Sequence, residues 1–142
     1  MNQKKTDILI IGMGLAGMTA AITAAKSGKQ IIMITKTDSF VSGNTPWAQG
    51  GIVYKGLNDS PDKLKRDILI AGDGQCWEEA VDHLCLNGPR LVENFLFNTL
   101  NIPFDKNSKT QDLNRVTEGA HSDARVIYHQ DKTGKSIHQR AL

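Results

Sequence analysis

The stretch Asp7-Ile-Leu-Ile-Ile-Gly-Met-Gly-Leu-Ala-Gly-Met-Thr-Ala-Ala21 decides the fold. Ile8 to Ile11 is apolar, largely β-branched and without alternation, the pattern of a strand buried on both faces of a parallel sheet. Gly12 permits a tight turn, Gly14 removes a side chain where a pyrophosphate must come close, and Gly17 lets the next helix pack against the strand. Met13, Leu15 and Ala16 complete the turn, and Ala21 keeps the helix contact close. The helix start offers N–H groups and the positive end of its dipole to phosphate. A GxGxxG run is a weak signal alone, since any flexible glycine turn can produce it. Here strand, glycines and helix follow in the order that a dinucleotide-binding turn requires, within the first 28 residues.

Working outward, the first helix is expected from about Leu15 to Ser27, with Gly28 as its stop. Gln30 to Thr35 reads as a second buried strand, completing a βαβ unit. A dinucleotide fold usually carries Asp or Glu there for the ribose hydroxyls, and this chain has Lys36. A cation cannot accept both ribose protons. It suits the 2′-phosphate of NADP, or a flavin family in which the acid has been replaced.

Ser42-Gly-Asn-Thr-Pro-Trp-Ala-Gln-Gly-Gly-Ile52 is a loop of small residues whose backbone can approach a ligand closely and present N–H groups to it. Farther on, Thr117-Glu-Gly-Ala-His-Ser122 places a carboxylate, an imidazole and a hydroxyl in a stretch without period, a suitable setting for a ligand site. The same run is also what a solvated loop looks like.

Between these segments lies scaffold. Ser60-Pro-Asp62 is a helix start, with Leu64, Ile68 and Ala71 on one face and Ala71-Gly-Asp-Gly74 as the break. A helix from Trp77 to Leu86 is expected to bury Ala80, Val81, Leu84 and Cys85 and to close at Asn87-Gly88. Pro89 then opens a third helix with Leu91, Val92, Phe95 and Leu96 as its stripe. His83 reads as a packed or half-exposed helix histidine, and Lys106 to Asp112 as a polar hairpin or loop tip. The tail from Thr133 has Ile137, Ala141 and Leu142 at helical spacing without a stop signal, so the last helix is expected to be cut rather than ended.

Composition bounds the rest. The 142 residues, 39% hydrophobic and with a formal net charge of +2, are enough for one core. Lys and Arg are scattered, which argues against nucleic acid or an anionic membrane as partner. No apolar run has the length of a membrane span, and the polar start lacks a signal-peptide core, so a cytoplasmic protein is expected. Cys76 and Cys85 have no CxxC partner, and no metal site is expected.

Taken together, the GxGxxG start, the strand ending in Thr35-Lys36 and the loop closing in Ala48-Gln-Gly-Gly-Ile52 resemble the flavoprotein superfamily of fumarate reductase, succinate dehydrogenase and L-aspartate oxidase. The resemblance implies an α/β fold: the N-terminal part of a Rossmann-like FAD-binding domain, a βαβ unit with parallel sheet, then a helical segment. Residues 1–142 would be a partial FAD-binding domain, with the remainder of it, the capping domain and the catalytic arginine lying beyond Leu142. It implies FAD contacts at Gly12, Met13, Gly14, Leu15, Ala16, Gly17, Lys36, Asn44, Thr45, Pro46, Trp47, Ala48, Gln49, Gly50 and Gly51. Asn44 stands where the membrane-bound members carry the histidine that holds flavin covalently. Asn cannot be that nucleophile, so non-covalent FAD is implied.

Ile102-Pro-Phe-Asp105, Thr117-Glu-Gly-Ala-His-Ser122, Ala124-Arg-Val-Ile-Tyr128 and Asp131-Lys-Thr-Gly134 are similar to the L-aspartate oxidase group, with Ala120 where a second glycine is usual. In that group the glutamate, here Glu118, helps to recognise the substrate amine. A carboxylate attracts an ammonium and repels a bare dicarboxylate, so Glu118 is the residue expected to favour aspartate over succinate. The resemblance implies FAD-dependent oxidation of L-aspartate to iminoaspartate for NAD biosynthesis, with oxygen or fumarate as acceptor and hand-off to quinolinate synthase. The alternatives are a soluble fumarate reductase-like enzyme and, for these 142 residues alone, an inactive nucleotide-binding fragment. An NADP reductase rests on Lys36 only.

Overall fold

A computed structural model describes residues 3–39 and 43–142. Ser42, the first residue of the small-residue loop, lies outside the described residues. β1 (Ile8–Ile11) pairs in parallel with β2 (Ile31–Ile34), Ile8 opposite Ile31 and Ile11 opposite Ile34. The crossover between them is α1 (Leu15–Ala25), a helix of mainly Ala and Thr that buries Met18. The expected βαβ unit is therefore present, its helix ending two residues earlier than the sequence suggests, with Gly28 at φ +72° beyond it.

One expectation is corrected in this unit. β1 is not buried on both faces: Leu9 and Ile11 are open, Ile11 at 80% exposure. α1 packs on one side of the two strands, and among the described residues no element covers the other side. The apolar, non-alternating run is thus written for a sheet with two covered faces, of which these residues supply one.

The second half folds around a different ribbon. β3 (Ile52–Val53) pairs antiparallel with β4 (Val126–Ile127), and β4 also bridges to Val116. Between β3 and β4 come α2 (Pro61–Ala71) and α3 (Glu78–Leu91). α2 begins as its sequence demands: Pro61 is the first residue, and the Ser60 hydroxyl accepts from the Lys63 N–H at 3.2 Å.

α3 departs from expectation. It does not close at Asn87-Gly88, and Pro89 opens no new helix but lies inside α3. Pro89 has no N–H to give the preceding turn. The helix nevertheless runs on through Leu91 and continues as a π-helical stretch, Val92–Thr99, at whose end the Leu100 N–H reaches back to Phe95 O at 2.8 Å. The buried face is also narrower than expected: Val81 and Cys85 are buried, as are Val92 and Leu96, while Ala80, Leu84 and Leu91 face outward. His83 is exposed.

The main core is Tyr54, Val92, Leu96, Leu100, Ile102, Phe104, Ile127 and Ile137. A smaller one, Leu64, Val81 and Cys85, joins α2 to α3. α4 (Thr133–Ala141) contributes Ile137 and docks its first turn on the short 3-10 turn Thr45–Trp47. Gly134 makes that contact possible. Its N–H donates to Ala48 O at 2.8 Å, and a Cβ there would lie 2.1 Å from Thr45 O. Among the described residues no helix is long and apolar enough to cross a membrane, and no group of three or more His, Cys, Asp or Glu is arranged to hold a metal ion.

Candidate functional site

The glycine turn behaves as three separate devices. Gly12 sits at φ +107°, a conformation that a side chain would strain. A Cβ on Gly17 would lie 2.1 Å from Gly12 O and 3.4 Å from Ile10 Cγ2, so this glycine is demanded by the turn and strand beneath it. Gly14 is different. Its φ is an ordinary −74°, and a Cβ there would meet only Thr45 Oγ1, at 3.6 Å. Nothing among the described residues requires glycine at that position.

What Gly14 faces is a cleft of about 450 Å³ lined by Ile11, Gly12, Met13, Gly14, Ile34, Thr35, Lys36 and Gly43. It runs between the C-terminal ends of the two parallel strands, the place where an open α/β sheet takes a ligand. Lys36 is thus brought beside the glycine turn, as expected from its position after β2.

The loop from Asn44 is fastened to this turn. Thr45 Oγ1 accepts from the Leu15 N–H at 3.0 Å. The first N–H of α1 is therefore occupied and not offered to a ligand; those of Ala16 and Gly17 have no partner within the helix. Pro46 is buried in the 3-10 turn, and Trp47 projects with 74% of its surface open. Gln49 Nε2 donates to Asp131 Oδ2 at 3.2 Å, so its amide has a partner within the chain. Gly51 is explained by packing: φ is +150°, and a Cβ would approach Val126 Cγ1 to 2.6 Å. Gly50 lies against the second segment, since a Cβ there would come within 3.4 Å of Glu118 Oε1.

Glu118 is exposed, and the Glu118–His121 turn is closed by the His121 N–H donating to Glu118 O at 2.9 Å. The structure thus brings the glycine turn, Lys36, the Thr45–Gly51 loop and Glu118 into one continuous region. Sequence reasoning missed what holds that region behind. Arg125, with 0% of its side chain exposed, pairs with Asp59 through Nε–Oδ2 and Nη2–Oδ1, both 2.8 Å, and donates from Nη1 to Asp67 Oδ2. Asp67 Oδ2 also accepts from the Ser122 N–H at 2.8 Å and the Ser122 hydroxyl at 2.9 Å.

The electrostatics follow from those contacts. The Arg125 guanidinium holds the Asp59 carboxyl below the usual carboxylate range, and Arg125 with Ser122 draws that of Asp67 down to about 2. Bonding to both carboxylates raises Arg125 in return. The one sequence signal for this group is an arginine inside the apolar run Ala124-Arg-Val-Ile127, which must find buried acids if the run is buried.

A family model described as an FAD binding domain matches residues 7–142. The chain belongs to the FAD-binding domain family. Among curated proteins, L-aspartate oxidase of Halobacterium salinarum is 42% identical over 132 residues, covering 93% of this chain and 25% of that protein. The chloroplastic L-aspartate oxidase of Arabidopsis thaliana is 36% identical over 141 residues, 98% of this chain and 21% of that one. Among solved structures, the E. coli quinol fumarate reductase superposes with a TM-score of 0.87 at 26% identity, over 99% of this chain and 24% of that chain. The chain therefore spans about a quarter of the length of the relatives that it matches.

FAD is the cofactor that this family membership assigns. The residues fit it. A dinucleotide needs backbone N–H groups, an open glycine and a cleft at the strand ends, and Gly14, the first turn of α1 and the Lys36 cleft supply all three. The expected kinship to the fumarate reductase, succinate dehydrogenase and L-aspartate oxidase flavoproteins stands, as does the α/β class.

Proposed function

We propose that these residues are the partial FAD-binding domain of an L-aspartate oxidase, a cytoplasmic enzyme of NAD biosynthesis that converts L-aspartate to iminoaspartate. The observation that carries the reading is the Glu118 carboxylate beside Gly50, at the end of the loop whose other end is tied to the glycine turn. The named relatives support it, since the L-aspartate oxidases cited align over nearly the whole of this chain.

In this reading Gly12 to Gly17 and Lys36 hold the pyrophosphate and ribose end of FAD, and Asn44 to Gly51 pass near its ring. Asn44 leaves the cofactor non-covalent. The redox chemistry would be supplied by bound FAD, as acceptor of a hydride from the substrate. The chain's own part is to bind and orient. Glu118 pairs with the substrate ammonium and places C2 towards the cofactor, and the same negative charge disfavours a dicarboxylate that lacks the amine. Oxygen or fumarate would reoxidise the enzyme, and the reactive imine would be handed to a quinolinate synthase. Since the 142 residues span about a quarter of the matched relatives, the isolated chain is expected to bind nucleotide without turnover.

The test is anaerobic: the protein expressed from its complete reading frame, loaded with FAD, is mixed with L-aspartate or with succinate. Bleaching of the flavin band by aspartate supports the reading. Bleaching by succinate alone replaces it with the fumarate reductase-like alternative.

A further inference from the structure

Asp67 and Arg125 are buried, charged and far apart in sequence, and neither lies among the residues assigned to FAD. Replacing such an ion group with apolar side chains is often neutral or stabilising, so burial by itself gives no reason to keep it. The contacts give one. Asp59 and Asp67 bring two negative charges to one guanidinium, and Asp67 Oδ2 needs further donors to be satisfied. Both come from a single residue, Ser122, through its N–H at 2.8 Å and its hydroxyl at 2.9 Å. Ser122 is also the residue after the Glu118–His121 turn.

We propose that the Arg125–Asp67–Ser122 group is a positioning clamp that fixes the Glu118 turn against Gly50, and thereby sets how strongly the enzyme prefers an amino dicarboxylate to a plain one. Its selectivity role rests on the functional reading given above; the clamp itself does not. The clamp ties the turn to α2 through Asp67 and, through Arg125, to the residue just before β4. Further restraints on this segment are the Val116–Val126 bridge before it and, after it, the strand and the Asp123 carboxylate, 4.0 Å from Lys63 Nζ. With Ser122 released, the Glu118–His121 turn keeps its internal hydrogen bond but loses its tie to α2, and Glu118, exposed and without an ion pair among the described residues, loses its fixed place against Gly50.

Three single variants of the full-length holoprotein test this: Ser122→Ala, Ser122→Thr and Asp67→Asn. For Ser122→Ala, the KM for L-aspartate is expected to rise about fivefold or more, with kcat falling less and inhibition by succinate equal to the parent's or stronger. FAD affinity should stay as in the parent, and Ser122→Thr, which keeps the hydroxyl, should restore the KM. A KM within about twofold of the parent, or a parallel loss of FAD binding and aspartate binding, overturns the proposal. The second readout needs no substrate. Hydrogen exchange at the Ser122 amide should be slow in the parent and about tenfold faster in Asp67→Asn; equal rates overturn the clamp. A parent that oxidises succinate and not aspartate defeats the functional reading, and the exchange measurement then decides the clamp on its own.

Discussion

The Thr45 hydroxyl caps α1 from outside: its Oγ1 accepts the Leu15 N–H at 3.0 Å across thirty residues of chain, so the loop after β2 is locked to the glycine turn. The helix start usually finds its cap in the residue before it, but that residue is Gly14, which has no side chain to offer. The glycine that opens the cleft thus gives up local capping, and Thr45 replaces it. Thr45→Val should cost about 1 kcal/mol of stability, in the range of a lost N-cap, and weaken FAD binding because the two loops separate. Thermal unfolding with and without FAD, together with a fluorescence titration, would measure both.

Gly14 and Gly17 should part company on substitution. Gly17→Ala drives a methyl into Gly12 O and is expected to prevent folding of the βαβ unit, seen as lost cooperative unfolding. Gly14→Ala has room within the chain and an ordinary φ, so the apo protein should unfold as the parent does. Its FAD affinity should nevertheless fall by about tenfold or more, because the methyl occupies the approach of the pyrophosphate. Equal affinity would remove Gly14 from the site.

Glu118→Gln keeps the shape of the side chain and deletes its charge. A hydrogen bond to a charged group is worth about 1.5–3 kcal/mol, so kcat/KM for L-aspartate should fall about 10- to 100-fold with FAD binding intact. Steady-state kinetics beside a flavin titration would show it.

Acid stability should report the clamp. Asp67 titrates near 3.8 in an unstructured chain and at about 2 in the fold. Its folded value is lowered, so the stability it contributes is fully present above about pH 4 and is lost as pH falls towards 2. Asp59, lowered by the same arginine, acts in the same direction. Asp67→Asn should be less stable at neutral pH and should lose part of the acid dependence between those limits. Urea unfolding at a series of pH values would test it.

Arg125→Leu leaves Asp59 and Asp67 buried with no cation and should destabilise by about 3–5 kcal/mol, read from denaturant midpoints.

The unit βαβ, the glycine turn, the cap at Ser60 and the family itself were legible in the sequence because each is a local pattern: apolar period, φ requirement, hydroxyl before proline. The course of α3 was misread for a related reason. Asn87-Gly88-Pro89 is a strong local stop, yet burial of Val92 and Leu96 in the main core carries the helix through. Packing outweighed local preference there.

Sequence alone therefore determined the βαβ unit with its glycine turn and the family, since glycine spacing and a strand-to-helix transition are properties of neighbouring residues. Only the tertiary structure decided that Glu118 meets Gly50, that Thr45 caps Leu15 and that Arg125 joins Asp59, Asp67 and, through Asp67, Ser122. Those contacts join segments tens of residues apart, and a buried guanidinium reveals its partners only when the chain has folded them into reach.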